Sequence, residues 1–170
     1  RAKHRQRGGS VFHGARRRRR VTHSFPFARL GIALGLLAVS IVVHASFLAL
    51  AFRWLLRKPT DAGLGDVRAV WMLVQIAVWT VLAHLIEIAI WAAAYVGLGV
   101  LPDFEVATYF SMVTYTTVGY GDVVLPAGWH LLSGVEGLTG ILMAGWSTAF
   151  FFSVANRTIT RRARVVGPPD

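Results

Sequence analysis

The sequence predicts an all-α membrane fold of three transmembrane helices plus one short helix that enters the membrane and turns back. Three observations predict it. The 170 residues are 55% hydrophobic and only 15% charged, with a mean hydropathy of +0.54, whereas a soluble domain carries about a quarter charged residues. Apolar stretches long enough to cross a bilayer recur three times, with most of the charge between and after them. Between the second and third lies a capped apolar segment too short to cross.

The chain holds no cysteine, which excludes disulfides, thiolate metal sites and thiol chemistry. Its formal net charge of +10 is concentrated at one end: nine of the 18 basic residues fall within Arg1–Arg20, where no acidic residue occurs. Residues 1–25 read as a basic, disordered arm. The run Arg16–Arg20 is of a kind that binds nucleic acid or anionic lipid, but it has no apolar periodicity, so a solvated arm is expected and no nucleic-acid partner. The chain begins with Arg1 and its first methionine is Met72, inside the second apolar stretch. Either residues precede Arg1 or translation starts at a non-methionine codon, for which Val21 in RRRRRVTHSFPF is the expected place; Arg1–Arg20 then fall outside the natural protein.

Residues 26–58 hold the first helix. Between Arg29 and Arg53, LGIALGLLAVSIVVHASFLALAF gives 23 uncharged residues, about 34 Å of helix against a hydrocarbon core of ~30 Å. It lacks a small-residue cleavage pattern and exceeds a signal-peptide core. Residues 66–157 form a second unit, whose outer helix spans about 69–98 and is interrupted only by His84 and Glu87. That stretch is longer than a bilayer needs, so it tilts or projects. The last helix spans about 131–156, with Glu136 its only charge; Arg157, Arg161, Arg162 and Arg164 end it, leaving 158–170 as a short tail.

Between these helices, PDFEVATYFSMVTYTT predicts a helix over about 103–116. Pro102 breaks the preceding helix, Asp103 caps the new one, and Glu105 complements its positive end. At ~20 Å it cannot span. Irregular backbone at membrane depth is tolerated only in packed protein or along a watery cavity. The string TTVGYGD at 116–122 therefore belongs to one of these.

Arg53, Arg57, Lys58 and Arg68 mark the first connection, and four arginines mark the tail, as cytoplasmic; Asp103, Glu105 and Asp122 put the other connection outside. With three spans the N-terminus is then outside, which conflicts with the arginine run unless the chain starts near Val21. Trp54, Trp71 and Trp129 suit interfacial anchoring.

A span, a short helix, Thr-x-Thr-Thr-Val-Gly-Tyr-Gly-Asp from Thr114 to Asp122 and a glycine-bearing span together resemble the pore domain of potassium channels. The resemblance covers the second half of the chain, from the outer helix to Asn156. It implies that Thr117, Val118, Gly119, Tyr120 and Gly121 form an ion-coordinating filter, with carbonyls and the Thr117 hydroxyl replacing the hydration shell of K+. K+ is the permeant ion, and no cofactor is expected. One chain carries one filter strand, so conduction implies three further copies around a four-fold axis, within a lipid bilayer of the cell membrane.

Physical chemistry asks for these residue types independently. Successive carbonyls face one side only if the backbone alternates in hand, and Gly119 and Gly121 enter the positive-φ region at little steric cost. Thr116 ends a helix whose negative dipole end favours a cation. Tyr120 is expected to pack against Tyr109 and Phe110 of the short helix, which join Thr114, Thr116 and Asp122 as filter support.

Some members of the family pair a glutamate behind the filter with the aspartate after its last glycine. Val113 stands at that position, so Asp122 is expected to lack its usual partner. In the last helix, Ser133, Gly137, Gly140 and Ala144 share a face suited to close packing. Gly145 resembles a hinge glycine, displaced from the usual place, with a packing role as the alternative; Phe150, Phe151 and Phe152 are candidates for a hydrophobic gate. His84 and Glu87, three apart on one face, can interact, and His44 can join them. A proton sensor or a metal site are alternatives there, but the spacing favours interhelical hydrogen bonding.

No regularly spaced arginines mark a voltage sensor, and no ligand-binding module is visible. The expected function is passive potassium conduction. A less selective cation channel, or a membrane-anchored protein binding nucleic acid or lipid through the arm, are the alternatives. Nothing points to an enzyme: no phosphate loop or metal cluster of standard spacing occurs.

Overall fold

A computed structural model describes residues 26–57 and 66–166, with the side chains of 26, 66, 68, 69 and 157–166 excepted. The arm at 1–25, Lys58 and the residues after 166 lie outside the described residues, as do the side chains of the arginines after Asn156. The order is α1 (Pro26–Arg57), α2 (Asp66–Gly97), α3 (Phe104–Tyr115) and α4 (His130–Val166). No strand occurs among the described residues. Three of these helices are long and apolar enough to cross a membrane, over Phe27–Arg57, Val70–Gly97 and His130–Asn156.

Each helix starts or stops where the sequence gives a reason. α2 ends in a turn in which the Tyr95 carbonyl accepts from the amides of Val100 and Leu101 at 2.9 and 3.3 Å. Pro102 then forbids continuation. The side chain of Asp103 accepts from the amide of Val106 at 2.9 Å and caps α3, as expected. α4 runs beyond the expected end near residue 156 to Val166. No helix breaker stands between Asn156 and Gly167-Pro168, so the helix continues until that pair.

α1 packs against α2 and α4, while α3 packs against α2 and α4 without touching α1. Trp91, Tyr95, Leu132, Met143 and Ala33 are buried where these helices meet. The indole of Trp91 donates to Ser40 of α1 at 3.2 Å, satisfying a group that burial would otherwise leave unpaired. Arg29, in the first turn of α1, donates to the Gly128 carbonyl at 2.7 Å and lies 4.7 Å from the centre of the Trp129 ring. The first turns of α1 and α4 therefore sit at the same end of the bundle.

From that end α3 descends alongside α2. Its last residue, Tyr115, meets His84 and Glu87 near the middle of the α2 span. The chain then climbs back through 116–129 to begin α4 beside Arg29. Close approach of α4 to the foot of α3 depends on Gly140: a Cβ there would run into the Tyr115 backbone carbonyl. Gly137 faces the Thr114 carbonyl, with 3.5 Å for an added Cβ. The small-residue face of the last helix is used at these two positions.

Candidate pore segment and the buried networks behind it

The foot of α3 is tied to the segment that follows by the segment's own amides. Thr116 N–H donates to the Met112 carbonyl at 3.1 Å and Thr117 N–H to that of Thr114 at 2.9 Å. The Val113 carbonyl takes two donors, Val118 N–H at 3.0 Å and Gly119 N–H at 3.2 Å. Four of the segment's amides are consumed in satisfying carbonyls that a helix end leaves open. Val113, which lacks a carboxylate side chain, thus supports the segment through its backbone.

Beyond Thr116 the backbone alternates in hand. Thr117, Gly119 and Gly121 have φ of 62°, 56° and 77°, while Val118 and Tyr120 between them do not have positive φ. Among the described residues, no hydrogen bond is accepted by the carbonyls of Thr117, Val118, Gly119 or Tyr120. The glycines were expected at this conformation; Thr117 was not. A β-branched residue there is a true outlier, and its amide bond to Thr114 helps hold it. The segment from Thr116 to Asp122 is exposed in the single chain.

Two features of its support stand out in the single chain. Within the single chain Tyr120 is 72% exposed rather than packed on Tyr109 and Phe110. Phe110 points the other way, edge-on to Tyr95 with ring centres 5.2 Å apart, because its position on α3 faces the buried seam with α2. Asp122 lacks a glutamate partner, as expected with Val113 at that position, and is supported by other groups. The Tyr109 hydroxyl donates to it at 2.6 Å, and the Val123 amide donates to its other oxygen at 3.0 Å. The Tyr109 bond, with help from backbone amides, holds the Asp122 carboxyl below the usual carboxylate range and pushes the Tyr109 hydroxyl up. Thr114 offers its carbonyl to Thr117, and the Thr116 hydroxyl bonds back to the Met112 carbonyl at 2.7 Å.

Behind the foot of α3 lie two buried carboxylates. Glu136 of α4 accepts from Tyr95 of α2 at 2.6 Å and from Ser111 of α3. Glu87 of α2 accepts from Tyr115 of α3 and meets His44 Nδ1 of α1 at 2.8 Å. His84 and Glu87, expected to be able to interact three residues apart on one face, are linked by the Tyr115 hydroxyl, which donates to Glu87 and lies 3.0 Å from His84 Nδ1. Ser147 of α4 meets both His84 Nε2 and His44 Nε2, each at 3.1 Å. His44, His84 and Glu87 bring ligand atoms within 4.8 Å of one another, a spacing compatible with a metal ion, yet each of those atoms is already engaged in a hydrogen bond. The expected interhelical hydrogen bonding is what the described geometry contains. Tyr95, Ser111, Tyr115 and Ser147 were not foreseen, because residues joined across helices leave no local spacing to read.

α4 passes through Gly145 as unbroken helix, and a Cβ at Gly145 would meet nothing within 4 Å. Phe151 and Phe152 are exposed and Phe150 is half-buried.

Comparison with known proteins bears on the second unit. Neither the curated proteins nor the solved structures contain a match. A family model described as an ion channel matches residues 71–157, more than half of the chain. Its span runs from α2 through α3 and the irregular segment into α4 and leaves out α1. With three helices fit to cross a bilayer, the chain is an integral membrane protein and belongs to the ion-channel family.

Proposed function

We propose that four copies of this chain form a pore that conducts potassium selectively and passively, with Thr117, Val118, Gly119 and Tyr120 presenting the oxygens that replace the ion's water. The observation that carries this reading is the alternation of backbone hand from Thr117 to Gly121, on a stretch whose carbonyls accept no hydrogen bond among the described residues. Alternation turns successive carbonyls toward one side, and unpaired carbonyls on one side form a ladder for a dehydrated cation. The exposure of Val118 and Tyr120 supports the assembly, since neighbouring copies would cover these apolar groups. In this reading α3 re-enters the membrane from outside, the C-terminus is cytoplasmic, and Phe150, Phe151 and Phe152 are the place for a hydrophobic gate.

A less selective cation pore is favoured by one observation: Asp122 is held by an exposed tyrosine rather than by a buried carboxylate behind the filter. Flux from liposomes loaded with K+, Rb+, Na+ or Ba2+ decides between the two. Potassium selectivity predicts K+ and Rb+ efflux, little Na+ efflux and block by Ba2+. Equal Na+ and K+ efflux selects the second reading, and no flux from a verified tetramer overturns both.

A further inference from the structure

The five side chains His44, Glu87, Tyr115, His84 and Ser147 close into a ring of five contacts: His44 to Glu87, Glu87 to Tyr115, Tyr115 to His84, His84 to Ser147 and Ser147 back to His44. Both nitrogens of each histidine and both oxygens of Glu87 are used, and among the described residues no bond leaves the ring. His44, Glu87, Tyr115 and Ser147 are buried. The ring lies near the middle of all three spans and joins all four helices.

Each contact needs one proton, so the ring of five needs five. A phenol, a serine hydroxyl and two neutral imidazoles bring one each, and an ionised carboxylate brings none. The groups in their ordinary neutral-pH forms are therefore one proton short. With Tyr115 donating to Glu87, the unfilled contact falls at one of the other four, because each imidazole can donate from either nitrogen and the Ser147 hydroxyl can donate to either histidine. Charge leads to the same count. With four protons the ring is a net anion in the middle of the membrane; with five it is neutral, either as an imidazolium–carboxylate pair or as a protonated carboxyl. The other titratable groups nearby are Glu136 of α4 and Tyr95 of α2, which donates to it directly; Glu136 also accepts from Ser111, one helical turn before Tyr115. α1 contributes no charged side chain between Arg29 and Arg53, and His44 is its only titratable group there.

We propose that the ring is a binding site for a single proton, shared among its five side chains, whose occupancy couples α1 to the foot of α3 and thereby holds the pore segment in its conducting arrangement. Tyr115 is the last residue of α3 and immediately precedes that segment. α1 lies outside the residues matched by the family model and does not touch α3, so the ring links α1 to α3 through side chains of α2 and α4. With the proton gone, one contact opens, which breaks one of the two side-chain routes between His44 of α1 and Tyr115, through Glu87 or through Ser147 and His84. The effect on conduction rests on the channel reading above; the proton site itself does not.

Two substitutions remove the proton deficit in different ways. Glu87→Gln brings a donor where the carboxylate had none, so all five contacts close with both histidines neutral. Ser147→Ala removes two contacts, leaving three contacts and three protons among His44, Glu87, Tyr115 and His84. The test measures the melting temperature of the purified full chain in nanodiscs, and K+ efflux from liposomes, between about pH 5 and about pH 10, a range that brackets carboxyl, imidazole and phenol titration. Wild type should lose about 2–4 °C and at least half its flux as pH rises and the proton leaves. Glu87→Gln should show neither loss. Ser147→Ala should melt lower than wild type at every pH, without the fall. Glu136→Gln should keep the wild-type fall. A wild type flat in melting temperature across the range, or a fall that survives in Glu87→Gln or Ser147→Ala, overturns the proposal; a fall abolished by Glu136→Gln alone relocates the proton and also overturns it. Melting that follows the prediction without any flux leaves the proton site standing and sinks the channel reading, whereas flux with a fall unchanged in Glu87→Gln does the reverse.

Discussion

Tyr109, in the second turn of α3, donates its hydroxyl to Asp122 at the far end of the pore segment across 2.6 Å. The bond closes a loop of the chain whose other attachment is the foot of α3, so the segment is held at both ends by the same helix. It also fixes a sign for pH. The hydroxyl holds the Asp122 carboxyl below its usual range, so the support is complete above an ordinary carboxylate value of about 3.9. It is lost as pH falls through the lowered one. Wild-type K+ efflux should therefore be insensitive to external pH through this bond down to about pH 4. Tyr109→Phe should bring the onset of acid inhibition upward and weaken K+ over Na+ discrimination at neutral pH. Efflux against external pH, compared between the two proteins, checks both; coincident curves would show that the bond does not support conduction.

What could be read from sequence, and what could not, divides along the range of the interactions. The Asp103 cap and the positive φ of Gly119 and Gly121 follow from residue types within a few positions of one another, and they occur as expected. That His84 and Glu87 can interact was also a local inference, but the hydroxyl that links them, Tyr115, comes from another helix and left no local sign. Phe110 and Tyr109 are adjacent, yet one faces the α2 seam and the other reaches Asp122. How a helix is rotated about its axis decides such partners, and rotation is set by packing with remote segments. The weakly directional composition of apolar helices leaves that rotation unmarked in the pattern of residues.

The positive φ at Gly119 and Gly121 gives a test that separates backbone hand from bulk. A Cβ at either position would meet nothing within 4 Å in the single chain, so crowding inside the chain is not the obstacle. The cost is conformational, roughly 1–2 kcal/mol for a side chain held in the left-handed region. Gly119→Ala and Gly121→Ala should each lower the melting temperature by only a few degrees while abolishing selective K+ efflux. D-alanine introduced at Gly119 by semisynthesis accepts positive φ without that penalty and should restore selectivity. Failure of both enantiomers alike would point to a crowded axis rather than to backbone hand.

Arg29 offers a test of how α1 is held at the end of the bundle that it shares with the first turn of α4. Its guanidinium donates to the Gly128 carbonyl and lies over the Trp129 ring. The charged hydrogen bond and the ring contact together contribute roughly 1–3 kcal/mol. Arg29→Ala should lower the melting temperature by several degrees. Arg29→Lys should recover only part of this, because an ammonium cannot both stack flat on the indole and reach the carbonyl. Equal melting of the lysine variant and wild type would show that charge alone suffices.

Gly140 and Gly145 lie on the same helix and differ in what surrounds them. At Gly140 an added Cβ would run into the Tyr115 carbonyl oxygen and stand 2.8 Å from its carbonyl carbon. Both are backbone atoms at the foot of α3, and they cannot move without displacing the pore segment. Overpacking of this kind costs roughly 1–3 kcal/mol. At Gly145 nothing lies within 4 Å, and alanine there gains up to about 1 kcal/mol of helix propensity. Gly140→Ala should therefore lower the melting temperature and reduce K+ efflux together, whereas Gly145→Ala should leave the melting temperature level or raise it. Efflux through Gly145→Ala then reports on bending: a stable protein that conducts poorly identifies a helix that must flex at this residue to open, and one that conducts like wild type assigns the glycine no hinge role.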